Sequence, residues 1–529
     1  MSKYAMAIDL RACIGCHACT IACKSEHDIP IGTWRCWVKE VEKGTFPNTR
    51  REFLPVLCNQ CDDAPCQNIC PTKALFRRND GIVDLDPEWC IGCKSCIAAC
   101  PYDQIFIDPN TSTAEKCNFC SNRLEADLEP ACVVVCPTEC RVFGDLEDPD
   151  AKINKLLTHE PHNVRKPEYN TSPNIYYVNG SQQLLDPTKP TQSGIYKQGE
   201  MSEELKQSVP EFKNDPQESR TVYDTFHNIP WDKNIITYLM TKGASTGLLI
   251  LSLLLWSVGY KSSLFSFWMP ILSGVLLSVT GYVLITDLKK PERFYYILLR
   301  SNWNSWMAWG TWFITLKGIF ILLWLLGAMA DNNGFLDFIL WPTILLSFLS
   351  SIYTGFFFAQ ASARDLWKGS ENTIDIGVLS ILKGAAILAF FVIIFPVADK
   401  ANVLNTLGNV ITVCTLLHFS ILMFSILLHR FGSVAHERSI ELILKGPFKK
   451  EFWNGAIIAG CAVPMFVFWW LGYNYFTYLL ASTLVVIGSY YWDKIWVQAG
   501  QKVPSVSYTH LRAHETDSYL VCRRLLEKK

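Results

Sequence analysis

Sixteen cysteines in four blocks constrain this chain more than any other feature of its sequence. They are Cys13, Cys16, Cys19 and Cys23; Cys58, Cys61, Cys66 and Cys70; Cys90, Cys93, Cys96 and Cys100; and Cys117, Cys120, Cys132 and Cys136. Blocks one and three have the spacing C-x2-C-x2-C-x3-C, and Pro71, Pro101 and Pro137 follow blocks two, three and four. Three cysteines at two-residue gaps share one tight loop and can hold three corners of a cubane. The fourth, three residues on, points away toward another cluster. Structural zinc instead uses C-x2-C pairs separated by a longer loop. A disulfide framework belongs to small secreted domains, and the first 30 residues show no charged stretch followed by an apolar one. The blocks therefore read as metal ligands for four iron–sulfur clusters.

Composition conceals a break. A net charge of −1 over 529 residues gives no bulk electrostatic case for nucleic acid. Residues 1–230 are polar and hold most of the 21 cysteines, whereas residues 234–498 are largely apolar and aromatic. Strand-like runs at 4–10, 74–77, 105–107 and 141–143 attend the blocks, and Asp80-Gly81 ahead of Ile82–Leu85 signals a hairpin. The expectation is an α+β, ferredoxin-like tandem 4Fe–4S domain over residues 1–150, then a proline-punctuated connector over 151–230. An all-α eight-helix transmembrane domain is expected over 231–498, with spans at about 234–259, 266–287, 304–328, 336–361, 374–397, 403–430, 451–471 and 474–497. Residues 499–529 form a tail; from 505 it resembles translated sequencing-adapter read-through, and it is assigned no function.

Two regions carry a family resemblance. The four blocks, with the long insertion between Cys23 and Cys58, resemble the electron-transfer subunits of molybdopterin oxidoreductases of the dimethyl sulfoxide and polysulfide reductase type. The membrane half resembles the polysulfide reductase (NrfD-like) membrane subunit, on the runs DLKKPERF at 287–294 and SWMAWG at 305–310. The fusion of two normally separate subunits departs from that family. The resemblance implies ligand sets that cross the blocks: Cys13, Cys16 and Cys19 with Cys136; Cys117, Cys120 and Cys132 with Cys23; Cys58, Cys61 and Cys66 with Cys100; and Cys90, Cys93 and Cys96 with Cys70. Some relatives lack a block-three cysteine and hold a three-iron cluster; here all are present, so four 4Fe–4S clusters are expected. Cys36, Cys140, Cys414 and Cys461 are left over and read as small apolar side chains.

A charge inside a span costs about 2.5–3.5 kcal/mol on insertion scales, so each needs a reason. Lys242-Gly243, Lys317-Gly318 and Lys383-Gly384 recur in spans one, three and five. They form either a hydrophilic seam for protons or a quinone head group, or a set of snorkelling lysines beside close helix contacts. The approach to span one offers His227, Asn228, Trp231 and Tyr238. The resemblance implies a histidine, an asparagine and a tyrosine as quinone-binding groups there, with a His–Asn spacing that departs from the pattern. Trp231 and Tyr238 alternatively belong to an interfacial aromatic belt. Asp287 and Arg293 form a proton relay or pair with each other at the membrane edge. His418 and His429 share one span with no facing histidine, so no haem is expected, and His418 is expected to be hydrogen-bonded.

The chain has no phosphate-binding loop, no GxGxxG after a strand and no nucleophile–base constellation, so substrate catalysis is assigned to another polypeptide. The reading is an electron-transfer and membrane-anchor subunit in anaerobic respiration. It links a molybdopterin-type catalytic partner to menaquinone or ubiquinone. The alternatives are the electron-transfer arm of a membrane hydrogenase and a redox-linked proton or ion translocator. Loops on the side of the amino terminus carry eleven Lys and Arg, and the opposite loops two. The positive-inside rule then expects the cluster domain on the cytoplasmic side of the inner membrane.

Overall fold

The computed structural model describes residues 2–44, 46–186, 219–225, 230–428 and 433–502. The amino-terminal half contains, among the described residues, the strands β1 (Tyr4–Asp9), β2 (Cys36–Lys43), β3 (Arg50–Leu57), β4 (Leu75–Arg77), β5 (Val83–Leu85), β6 (Phe106–Ile107), β7 (Ala114–Glu115), β8 (Arg141–Asp145), β9 (His162–Asn163), β10 (Ile175–Val178) and β11 (Ser219–Tyr223). The first sheet has the order β8-β1-β10-β9, with β1 parallel to β10 and antiparallel to β8. Its central strand is apolar on both faces, as a strand covered on both sides must be. Met6 and Ile8 pack into the cysteine-bearing core, and Ala5 and Ala7 pack on Ile153 of the helix Lys152–His159. The second sheet has the order β11-β2-β3. Pro55 is accommodated because β3 is its edge. The stretch expected as a connector thus supplies three strands, β9, β10 and β11, to the cluster half.

The remaining strands form two hairpins, β4–β5 around Asp80-Gly81 and β6–β7. The repeat seen in the cysteine spacing is also a repeat in the backbone. Gly15 and Gly92 hold equivalent places with φ of 69° and 67°, and His17 and Lys94, two residues on, have φ of 58° and 65°. Each loop turns twice through the left-handed region, which glycine enters without strain. A short helix follows each time, Ala18–Glu26 and Ser95–Ala99.

The membrane half has, among the described residues, eight long helices: α1 (Lys233–Ser257), α2 (Leu264–Asp287), α3 (Trp306–Met329), α4 (Asn333–Ala359), α5 (Ser370–Ile394), α6 (Lys400–Leu428), α7 (Glu451–Leu471) and α8 (Tyr475–Lys502). Of these, α1 to α7 are long and apolar enough to cross a membrane. The eighth expected span, α8, forms a helix of 28 residues but falls short in apolarity. Its polar groups answer protein neighbours rather than lipid: Asp493 meets Lys383 at 2.5 Å, and Lys494 meets Glu451 at 2.6 Å. It still returns to the face where α1 begins. Trp231 N donates to Gln501 Oε1 at 2.9 Å, and Gln501 Nε2 donates to Trp231 O at 2.8 Å.

Helices α1 and α5 form the centre of the bundle. A Cβ on Gly247 would overlap the Ser380 carbonyl, and one on Gly384 would overlap the backbone of Gly247 and Leu248. This is the small-residue contact by which helices approach closely in lipid. The outer helices turn Tyr282, Leu322, Phe338 and Trp469 outward, all largely exposed.

Candidate metal centre

Two cavities in the amino-terminal half are walled by cysteines. One is lined by Cys58, Cys61 and Cys66 of block two with Cys100 of block three, and closed by Val83, Tyr102 and Ile105. The other is lined by Cys90, Cys93 and Cys96 of block three with Cys70 of block two, and closed by Leu75, Leu85 and Ala114. Each takes three cysteines from one loop and the outlying fourth from the other. Among the described residues no three His, Cys, Asp or Glu side chains converge on a single ion position. The cysteines stand around cavity walls instead, which suits a multi-iron core with outward thiolates. The walls are mostly apolar, and burial pushes the Cys66 thiol up to about 12 and the Cys100 thiol to about 11. A metal binding there must displace those protons.

Blocks one and four meet in the same way. Cys23, Cys117 and Cys132 share one buried core with Cys19, and Cys23 lies among the electrostatic neighbours of Cys117. Cys120 is held by His27 at 3.1 Å, whose own basicity burial lowers to about 4. Cys13 hydrogen-bonds with Cys140, whose Sγ is 3.5 Å from that of Cys136. Two of the leftover cysteines are therefore more than apolar filling. Cys140 touches Cys13 and Cys136, and Cys36 accepts from the Arg141 guanidinium at 3.1 Å. The two pairs of blocks are tied by Gln60, which donates to Cys117 O at 2.7 Å and accepts from Val83 N at 2.8 Å.

The membrane half grips blocks two and three. Asn302 Nδ2 donates to Cys70 O at 2.8 Å, Ser305 Oγ to Ile69 O at 2.7 Å, and Ser362 Oγ to Ala99 O at 3.1 Å. The amides of Lys289 and Lys290 donate to the carbonyls of Gly92 and Ile91 at 3.3 and 3.2 Å. Asp287 and Arg293 do not pair with each other, contrary to one expectation. Asp287 binds Lys94 at 2.9 Å, and Arg293 donates to Pro87 O and Cys90 O at 2.7 and 3.1 Å. Both side chains serve the contact between the halves, because the loop carrying them lies directly over block three.

Within the bundle the lysines join a buried polar seam. Lys242 bonds Thr354 Oγ1, Ser351 O at 3.1 Å and Tyr238 OH at 3.3 Å, with Tyr238 OH 2.5 Å from Tyr353 OH. Lys317 donates to Ser245 and Thr246 at 2.9 and 3.0 Å. Lys383 pairs with Asp493, and His418 pairs with Asp375 at 2.6 Å, whose other oxygen accepts from Trp492 at 3.0 Å. None of these lysines snorkels. Trp231 and Tyr238 are 2% and 3% exposed, so they are not an interfacial belt. His227, Asn228 and His429 lie outside the described residues. Sequence reading missed Asp375 and Asp493, although a lone acid inside an apolar run was the available signal.

Residues 221–503 match the family described as polysulphide reductase, NrfD, and residues 49–146 match the 4Fe-4S dicluster domain. The protein is 45% identical over 180 residues to a tetrathionate reductase subunit of Salmonella typhimurium, covering 33% of this sequence and 72% of that one. It is 45% identical over 183 residues to a polysulfide reductase chain of Wolinella succinogenes, covering 33% and 94%. It is 35% identical over 226 residues to the arsenate respiratory reductase iron–sulfur subunit ArrB of a Shewanella species, covering 33% and 96%. With cysteine-lined cavities in one half and a helical bundle matched over more than half the chain, this multi-pass membrane protein carries a 4Fe–4S cluster-binding domain and belongs to the polysulphide reductase NrfD family.

Proposed function

We propose that this chain binds four 4Fe–4S clusters and carries electrons between a molybdopterin-type catalytic partner and quinone of the inner membrane. Such clusters supply one-electron transfer when bound. The proposed ligand sets are Cys13, Cys16, Cys19 and Cys136; Cys117, Cys120, Cys132 and Cys23; Cys58, Cys61, Cys66 and Cys100; and Cys90, Cys93, Cys96 and Cys70. The last two sets are supported by the two cavities, and the second by the shared core of Cys23, Cys117 and Cys132.

The observation that carries the reading is the position of these sets relative to the bundle. The contacts made by Lys289, Asn302, Ser305 and Arg293 fall on blocks two and three. The bundle meets the Cys90 set through Cys70, Ile91 and Gly92 and the Cys58 set through Ala99, and Gln60 links the Cys58 set to the Cys117 set. Such a row suits a subunit with a partner at one end and a lipid-soluble carrier at the other. At the membrane end, His227, Asn228, Tyr238, Lys242 and Lys317 are the proposed donors to quinone oxygens, and Asp287 and Arg293 hold the docked halves together. The relatives' names point to a partner acting on a sulfur compound or an oxyanion.

Tagged purification from the native membrane in mild detergent tests this. A large partner containing molybdenum or tungsten should copurify. The stripped chain should hold sixteen irons by anaerobic analysis, exchange electrons with a quinol analogue and act on no oxyanion. Substrate turnover by the stripped chain, or fewer irons, would overturn the reading. A second reading, redox-linked proton movement, is favoured by the buried Lys383–Asp493 and Asp375–His418 pairs.

A further inference from the structure

We infer that Arg141 is a positioning residue shared by the clusters of the Cys13 and Cys117 sets, a single cation that sets their reduction potentials together. The inference rests on the four-cluster reading above. Arg141 opens β8, opposite Ile8 of β1, and is 2% exposed. Its Nη2 donates to Cys19 Sγ at 3.4 Å and to Cys36 Sγ at 3.1 Å. Its Nη1 donates to Cys132 Sγ at 3.7 Å and to Met6 Sδ at 3.7 Å. Cys19 belongs to the proposed Cys13 set and Cys132 to the proposed Cys117 set, so one guanidinium spans two sets.

The partners are the unusual part. A guanidinium stays protonated in proteins, and a buried one needs an anion. Carboxylates are the common solution, yet among the described residues every side-chain hydrogen bond of Arg141 goes to sulfur. Of these sulfurs Cys19 and Cys132 are proposed ligands, and a loaded cluster supplies their thiolates as the anion, which protonated thiols do not. A cation hydrogen-bonded to ligand sulfur stabilises the more negative, reduced state, since net charge and hydrogen bonds to the sulfurs are the levers of cluster potential. Because both sets share it, both potentials should move together, while the two sets nearer the membrane should not.

The test is a redox titration of the full chain in detergent, followed by electron paramagnetic resonance, with iron counted on the same samples. Arg141→Met should keep sixteen irons and lower two of the four potentials, each by tenfold or more in the reduction equilibrium, about 59 mV for one electron. Arg141→Lys, which keeps the charge, should recover part of both shifts. Four unchanged potentials, or four that shift alike, would overturn the inference. Should Arg141→Met lose iron, Arg141→Lys decides alone: two lowered potentials support the role, and none overturns it. A parent chain with fewer than sixteen irons would instead sink the four-cluster reading, which separates the two failures.

Discussion

Asn302 caps a helix to which it does not belong. The short helix Pro65–Ile69 ends at Cys70, whose carbonyl has no partner within the helix, and Asn302 Nδ2 serves it at 2.8 Å from across the interface. Asn302 is 7% exposed, so water cannot take its place. Asn302→Leu should strand that carbonyl at a cost of about 1–3 kcal/mol. The expected result is an unchanged iron content before heating and an earlier loss of cluster absorbance on heating in detergent; an unaltered melting profile would contradict it. No sequence signal marked this neutral amide in a loop. Asp287 and Arg293 were marked, but only half read. Their charge at a membrane edge is local information, whereas Arg293 and its partner Cys90 are 203 residues apart. No local pattern encodes a surface assembled from such distant segments.

Helix positions were far more legible. Apolar runs with sharp polar ends define a span by length alone, and the observed helices begin and end close to the expected limits. What the runs hid is how the helices compensate one another. Asp493 and Lys383 are each costly alone and meet across α5 and α8, 110 residues apart. Lys383→Met should leave Asp493 buried and unpaired, a loss of about 3–5 kcal/mol. The double variant with Asp493→Leu should recover most of it. Thermal unfolding in detergent, followed by tryptophan fluorescence, checks both; a double variant no better than the single would show that the ions do not depend on each other. The α1–α5 contact gives a steric counterpart. Gly247→Leu must push α5 away at Ser380 and Gly384, and overpacking of this kind costs about 1–3 kcal/mol or more. A reduced yield of folded protein from the membrane is expected, with Gly281→Leu on α2, where nothing lies within 4 Å, as the tolerant control.

On the scale of the whole molecule, α8 ends where α1 begins, so the cluster half and the carboxyl-terminal end of the last helix lie on one side of the bundle. The loop charges favour the cytoplasm for that side. Protease added to sealed right-side-out vesicles should leave the cluster half intact; digestion from outside would reverse the orientation. Chains are made from the amino end, and domains fold as units in that order. Ser219–Tyr223, the last strand of the two sheets, precedes α1 in the chain, so every strand is made before the bundle. One wall is late. Lys289 and Lys290, whose amides bind Gly92 and Ile91 beside Cys90 and Cys93, emerge only after α2. The contacts over blocks two and three, from Lys289 and Lys290 to Ser362, are thus made by chain translated after every cysteine of those blocks, and that face of the nascent protein is covered only as the bundle is built.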